Sequence, residues 1–162
     1  MKIVDMHCDT ISELLQQKRA GREISLRSNN LHLDLERMQK SGYLLQNFAL
    51  YVNMGTCEDP WEEVCALYQV YREEMEKHQG LIAPVLCYEE ITQNKKAGKM
   101  TGMLTVEEGA VCKGEIEKLH HLYDMGVRML TLTWNYPNEL GFPNMDSARG
   151  KIAWEACREI RE

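Results

Sequence analysis

Short apolar runs alternate with longer amphipathic stretches along the chain, and this alternation limits what it can fold into. Residues 3–6, 43–52, 81–87, 100–106 and 127–133 read as strands, the third partly broken by Pro84. Between them, apolar side chains recur at helical spacing. Thr10 is placed to cap a helix carrying Ile11, Leu14 and Leu15, with Glu13 completing a capping box. A short helix over 34–40 ends near Gly42. Asp59 as N-cap and Pro60 at the first helical position open the clearest helix. Its packing face holds Trp61, Val64, Cys65, Tyr68, Tyr71 and Met75, and Gly80 lies past its end. Further helices are expected over 88–99 and 115–125, the latter closed by Gly126. Strand followed by helix in regular order indicates an α/β fold with a mostly parallel sheet. No repeat, low-complexity tract or linker divides the chain, so residues 1–162 read as one domain.

Composition narrows the function classes. The chain has 162 residues and a net charge of -6, from 19 Lys+Arg against 25 Asp+Glu. There is no basic excess to neutralise phosphates, which argues against a nucleic-acid partner. No apolar run approaches the roughly 20 residues needed to span a bilayer, and the start lacks a signal-like apolar region. A cytoplasmic, non-membrane protein is the expectation. Six cysteines without a C-x-x-C pair read as packed free thiols rather than a disulfide framework or zinc ribbon. There is no G-x-S-x-G elbow and no phosphate-binding glycine loop.

In parallel α/β folds, sites form at the carboxyl ends of strands. His7 and Asp9 follow the first strand, two apart and able to reach one ion. Glu107 and Glu108 follow the fourth, and Trp134 and Asn135 follow the fifth. One imidazole and two carboxylates from separate strands would make a mixed N/O site suited to zinc, or less selectively manganese or cobalt. Each piece also has a plainer meaning. His-x-Asp is the pattern of a hydrogen-bonded structural pair, and Glu107-Glu108 that of a solvated helix start. Asp5 either orients His7 or satisfies local backbone donors. His32, His78, His120 and His121 belong to helices or their ends, away from the strand ends, and are not expected to hold metal.

Three separated segments together resemble one family. Asp5-Met6-His7-Cys8-Asp9 resembles the D-x-H-x-D opening of the membrane (renal-type) dipeptidase family of zinc metallopeptidases. Leu104-Thr105-Val106-Glu107-Glu108-Gly109 is similar to its segment bearing a metal-bridging glutamate. The stretch from Leu122 to Thr133 is similar to its L-Y-x-x-G-V-R-x-L-T-L-T sequence, and Phe48-Ala49-Leu50-Tyr51 adds weaker agreement. The resemblance, which runs to about residue 150, implies a (β/α)₈ TIM-type barrel with a binuclear zinc centre that hydrolyses dipeptides. It implies that His7 and Asp9 hold the first zinc and that Glu107, the catalytic carboxylate, bridges both. Asp5 would support His7 from behind, and Asn135 and Tyr136 would line the substrate pocket.

The chain departs from that family in three places. A typical barrel needs about 250 residues. The two histidines of the second zinc site and the proton-handling aspartate lie, in the family, on strands past residue 150. Trp134 stands where better-known members carry a substrate-contacting histidine. Residues 151–162, which read as a final helix, match poorly. The expectation is therefore the first half of a barrel, from a truncated or frame-shifted reading frame, with low or no dipeptidase activity of its own. Its open edges favour a second copy or a complementary half-chain as partner. The competing expectation is a non-enzymatic half-barrel remnant that acts only through such association. An unrelated barrel hydrolase with an H-x-H first strand is disfavoured because position 9 is Asp.

Overall fold

The computed structural model describes residues 2–143, and every strand pairing in it is parallel. The chain runs β1 (Ile3–Asp5), α1 (Thr10–Arg19), α2 (Leu35–Ser41), β2 (Tyr43–Tyr51), α3 (Pro60–Lys77), β3 (Ile82–Val85), α4 (Tyr88–Lys96), β4 (Met100–Glu107), a 3₁₀ turn (Gly109–Cys112), α5 (Ile116–Asp124) and β5 (Val127–Thr131). The expected alternation of strands and helices is present, with ends shifted by a few residues. The expected final helix over 151–162 lies outside the described residues. None of the described helices is long and apolar enough to cross a membrane.

Local chemistry fixes most helix ends. The Asp34 carboxylate accepts the Arg37 backbone N–H at 2.8 Å, and Gly42 leaves α2 at a φ of 78° that a side chain would resist. Asp59 accepts the N–H groups of Trp61 and Glu62, and Pro60 opens α3 as expected. The start of α1 differs from the expectation. Thr10 is already helical and Asp9 occupies the cap position, yet its carboxylate makes no capping bond. That carboxylate is turned toward His7 instead.

The sheet order is β1-β2-β4, and the far edge of β4 is divided between two strands. β3 pairs with its first half, Met100 to Met103, and β5 with its second half, Leu104 to Glu107. Strands β1, β2, β4 and β5 therefore form an unclosed arc of a TIM-type barrel, with β3 wedged under β5. Among the described residues, β1 and β5 each have a strand neighbour on one side only.

Alternation separates the two faces of this arc. Phe48 and Leu50 on β2, and Leu104 and Val106 on β4, are buried against the helices. Phe48 meets Tyr71 of α3 with ring centroids 6.0 Å apart, and the Tyr71 hydroxyl donates to the Gly102 carbonyl. Gly102 keeps this face shallow, because a Cβ there would lie 3.2 Å from Met75 Sδ. Burying a side chain such as Phe48 contributes roughly 1.5–3 kcal/mol. The opposite, inner face carries Asn47, Ala49 and Tyr51 on β2 beside Met103, Thr105 and Glu107 on β4. Val4, Met6 and Met129 lie exposed along the same face. Asn47 donates to the Met6 carbonyl at 2.8 Å, while its Oδ1 is buried with no partner among the described residues.

Candidate metal centre

Strand β2 holds both halves of the candidate site in place. Its ladder to β1 continues past the strand end, where the Ala49 N–H donates to the Cys8 carbonyl at 3.0 Å. This pins the peptide between His7 and Asp9. On the other side the Val52 N–H donates to the Glu107 carbonyl at 3.4 Å, extending the β2–β4 register that sets Tyr51 beside Glu107. Three residues separated by up to a hundred positions are thereby fixed to one scaffold.

The side chains converge accordingly. His7 Nε2 lies 3.3 Å from Asp9 Oδ1 and 3.2 Å from Glu107 Oε2. One potential ligand atom from each residue falls within 4.8 Å of the other two. His7 and Asp9 are about half exposed, whereas Glu107 is mostly buried. Burial raises the Glu107 carboxyl above its ordinary range; His7 opposes this, and the Asp9 and Glu108 carboxylates add to it. A cation held by the three groups would offset that crowding of negative charge. An imidazole with two carboxylates is a donor set that fits zinc and other divalent ions of borderline preference. Cys8 lies between the ligands in sequence, and burial pushes its thiol up to about 11.

Asp5 takes a local role in this geometry. Its Oδ1 accepts the His7 backbone N–H at 3.1 Å, so it fixes the turn that presents the imidazole. Asn135 is half-buried in the segment after β5. Tyr136 is partly exposed and packs over Gly55, where a Cβ would collide with its hydroxyl. His78 and His121 are engaged away from the cluster. His78 is buried with Glu74 and Ser25, and His121 stacks edge-on against Trp61. A cleft of about 710 Å³ opens beside His7 and Asp9, bounded by Glu13, His32 and Tyr43.

Two features of the mouth are not legible in the sequence. Tyr51 faces the carboxylates: burial raises its hydroxyl pKa, and the charges of Glu107 and Asp9 raise it further. Its ring meets Trp134 edge-on at 4.9 Å. Glu108 is the second, and here the solvated-helix-start expectation is corrected. It is completely buried, because the segment after β5 folds over it. The one available signal was a second glutamate directly before Gly109 at a strand end, which does not distinguish exposure from burial.

Comparison with known proteins assigns the chain to a family of peptidases. The sequence model of the family described as membrane dipeptidase (peptidase family M19) matches residues 1–153. A solved structure titled as dipeptidase AC, a metallopeptidase of family M19, superposes with a TM-score of 0.74 at 22% identity, covering 85% of this chain and 44% of that one. A metallopeptidase from Rhodobacter sphaeroides, liganded with a phosphinate mimic of the dipeptide L-Ala-D-Ala, gives 0.75 at 17% identity, covering 99% of this chain and 57% of that one. The probable dipeptidase PvdM from Pseudomonas aeruginosa gives 0.65 at 13% identity, with 98% and 44% covered. The chain thus spans about half the length of these structures, and at such identities they speak to the fold.

Proposed function

Because the chain belongs to the membrane dipeptidase family of peptidases, we propose that it is the first half of a zinc metallodipeptidase. The complete enzyme hydrolyses dipeptides at a binuclear centre. The observation that carries this reading is the approach of His7, Asp9 and Glu107 to within 4.8 Å of one another from the ends of β1 and β4. His7 and Asp9 would hold one zinc, and Glu107, set deeper, would reach both ions as the bridging carboxylate. Bound zinc supplies a water of lowered pKa and polarises the scissile carbonyl. The chain's own residues bind and orient: Asp5 fixes the His7 backbone, and Tyr51 and Trp134 wall the mouth toward Asn135 and Tyr136, where the dipeptide would lie.

His7, Asp9 and Glu107 are the one group of three or more potential ligands found among the described residues, and on this reading hydrolysis by the chain alone would be low or absent. The exposed inner side chains and the one-sided β1 and β5 support association with a second copy or a complementary half-barrel. The five described cysteines are free thiols, which suits a reducing compartment such as the cytoplasm.

Calorimetric zinc titration of the chain against His7→Ala tests the metal assignment. Wild type binds one zinc tightly and the variant loses that binding; equal affinity in both would overturn the reading. A dipeptide-hydrolysis assay of zinc-loaded, contaminant-free chain is expected to read near background.

A further inference from the structure

Glu108 neighbours a candidate ligand but has entirely different surroundings. Its backbone sits at φ 121°, ψ 105°, a positive-φ conformation that residues with a Cβ rarely adopt. Such an outlier persists only where surrounding contacts over-determine it. Those contacts converge on the carboxylate. Oε1 accepts the Ala110 N–H at 3.0 Å and the Asn138 side-chain amide at 2.5 Å, and Oε2 accepts the Trp134 N–H at 3.4 Å. Asn138 gathers the rest of its own segment. It also donates to the Leu132 carbonyl at 2.8 Å, and its Oδ1 accepts the N–H groups of Leu140 and Gly141.

The segment over 132–141 is therefore folded around one buried carboxylate at the end of β4. It lies directly on the chain there: a Cβ at Gly109 would meet Leu140 Cδ1 at 2.7 Å and run into the Leu132 carbonyl. The same segment carries Trp134 onto Tyr51, and Tyr51 is the register partner of Glu107. A continuous path of contacts joins Glu108, the Trp134 backbone, the Trp134 ring, Tyr51 and the mouth.

We propose that Glu108 is a positioning residue: its carboxylate clamps the 132–141 segment so that Trp134 and Tyr51 form a fixed aromatic wall for an apolar side chain of the bound dipeptide. The role rests on the function reading above. It predicts a division of labour between adjacent glutamates, with Glu107 on the metal side and Glu108 on substrate placement alone.

Two variants test this. Glu108→Gly removes the clamp while accepting the positive φ, and Asn138→Ala removes its main side-chain partner without touching position 108. The chain is labelled with 5-fluorotryptophan and the Trp134 resonance assigned with Trp134→Phe. Both variants are expected to shift or broaden that resonance, retain zinc binding far better than Glu107→Gln does, and weaken binding of a phosphinate mimic of L-Ala-D-Ala to the zinc-loaded chain by about tenfold or more. Glu108→Gln, which keeps one acceptor oxygen, should recover part of the loss. An unmoved Trp134 resonance in both variants would overturn the clamp. A moved resonance with undiminished affinity for the mimic would overturn its positioning role. Failure of wild type to bind zinc would strike the function reading while the fluorine signal still reports on the clamp. Zinc binding without binding of the mimic would overturn the positioning role, while the zinc result alone decides the metal reading.

Discussion

The two faces of the β2–β4 arc are built from alternate residues of the same strands, yet they do opposite things. The helix-facing set, with Phe48, Leu50, Leu104 and Val106, is sealed under α3 and its neighbours. The inner set bears Glu107, Tyr51 and the orphaned Asn47 oxygen, and its apolar members Val4, Met6 and Met129 remain exposed. One face supplies cohesion and the other supplies reactive groups, and the period of two keeps them apart. A packed core and a polar, charged face can therefore coexist in one sheet.

The separation can be broken most forcefully from the helix side. Phe48→Ala leaves a cavity beside Tyr71 and is expected to cost about 3–5 kcal/mol in urea denaturation. The zinc affinity of the protein that remains folded should not change; a matching loss of zinc binding would mean the faces are coupled. From the inner side, Glu107→Gln should lower zinc affinity by at least about 100-fold, more than loss of an outer-shell partner would cost. Its denaturation midpoint should stay near wild type, and a large drop would make Glu107 a structural residue.

A smaller effect sharpens the helix-side account. Burial alone would raise the Asp34 carboxyl, but bonds from the Arg37 backbone and guanidinium and from Asn29 outweigh it and hold the group below its ordinary value. A lowered folded-state pKa stabilises above the unfolded value and loses that contribution as pH falls through the folded one. Asp34→Asn should thus cost about 1 kcal/mol at neutral pH, converging with wild type in strong acid. A gap independent of pH would show that the charge is irrelevant. Smallest of all, Met129→Ser on the open face should change monomer stability by no more than about 0.5 kcal/mol. If that face is covered by a second chain, the same variant lowers the mass measured by light scattering at high concentration.

Periodicity was enough to read the five strands and the main helices, since each is encoded within its own window. The convergence of His7, Asp9 and Glu107 was legible too, because strand-end position is a local property that parallel α/β architecture converts into proximity. What sequence could not express was pairing. Nothing in Ile82–Val85 or Val127–Thr131 says that both will share one edge of β4. Glu108 was misjudged for the same reason: the groups that bury it stand 26 and 30 residues away, at Trp134 and Asn138. Thr10 had the right type for a cap, but helical structure already begins there and the Asp9 carboxylate points to His7.

Anchoring of Cys8 and Glu107 to a common strand has a consequence for tolerance to change. The spacing of the donor atoms is a readout of hydrogen-bond register. Sliding β4 by a single residue against β2 would carry Glu107 about 3.3 Å along the strand direction and turn it into the helical layer. Insertions within either strand are therefore forbidden to a metal-binding descendant, whereas the loops that join them are free to lengthen.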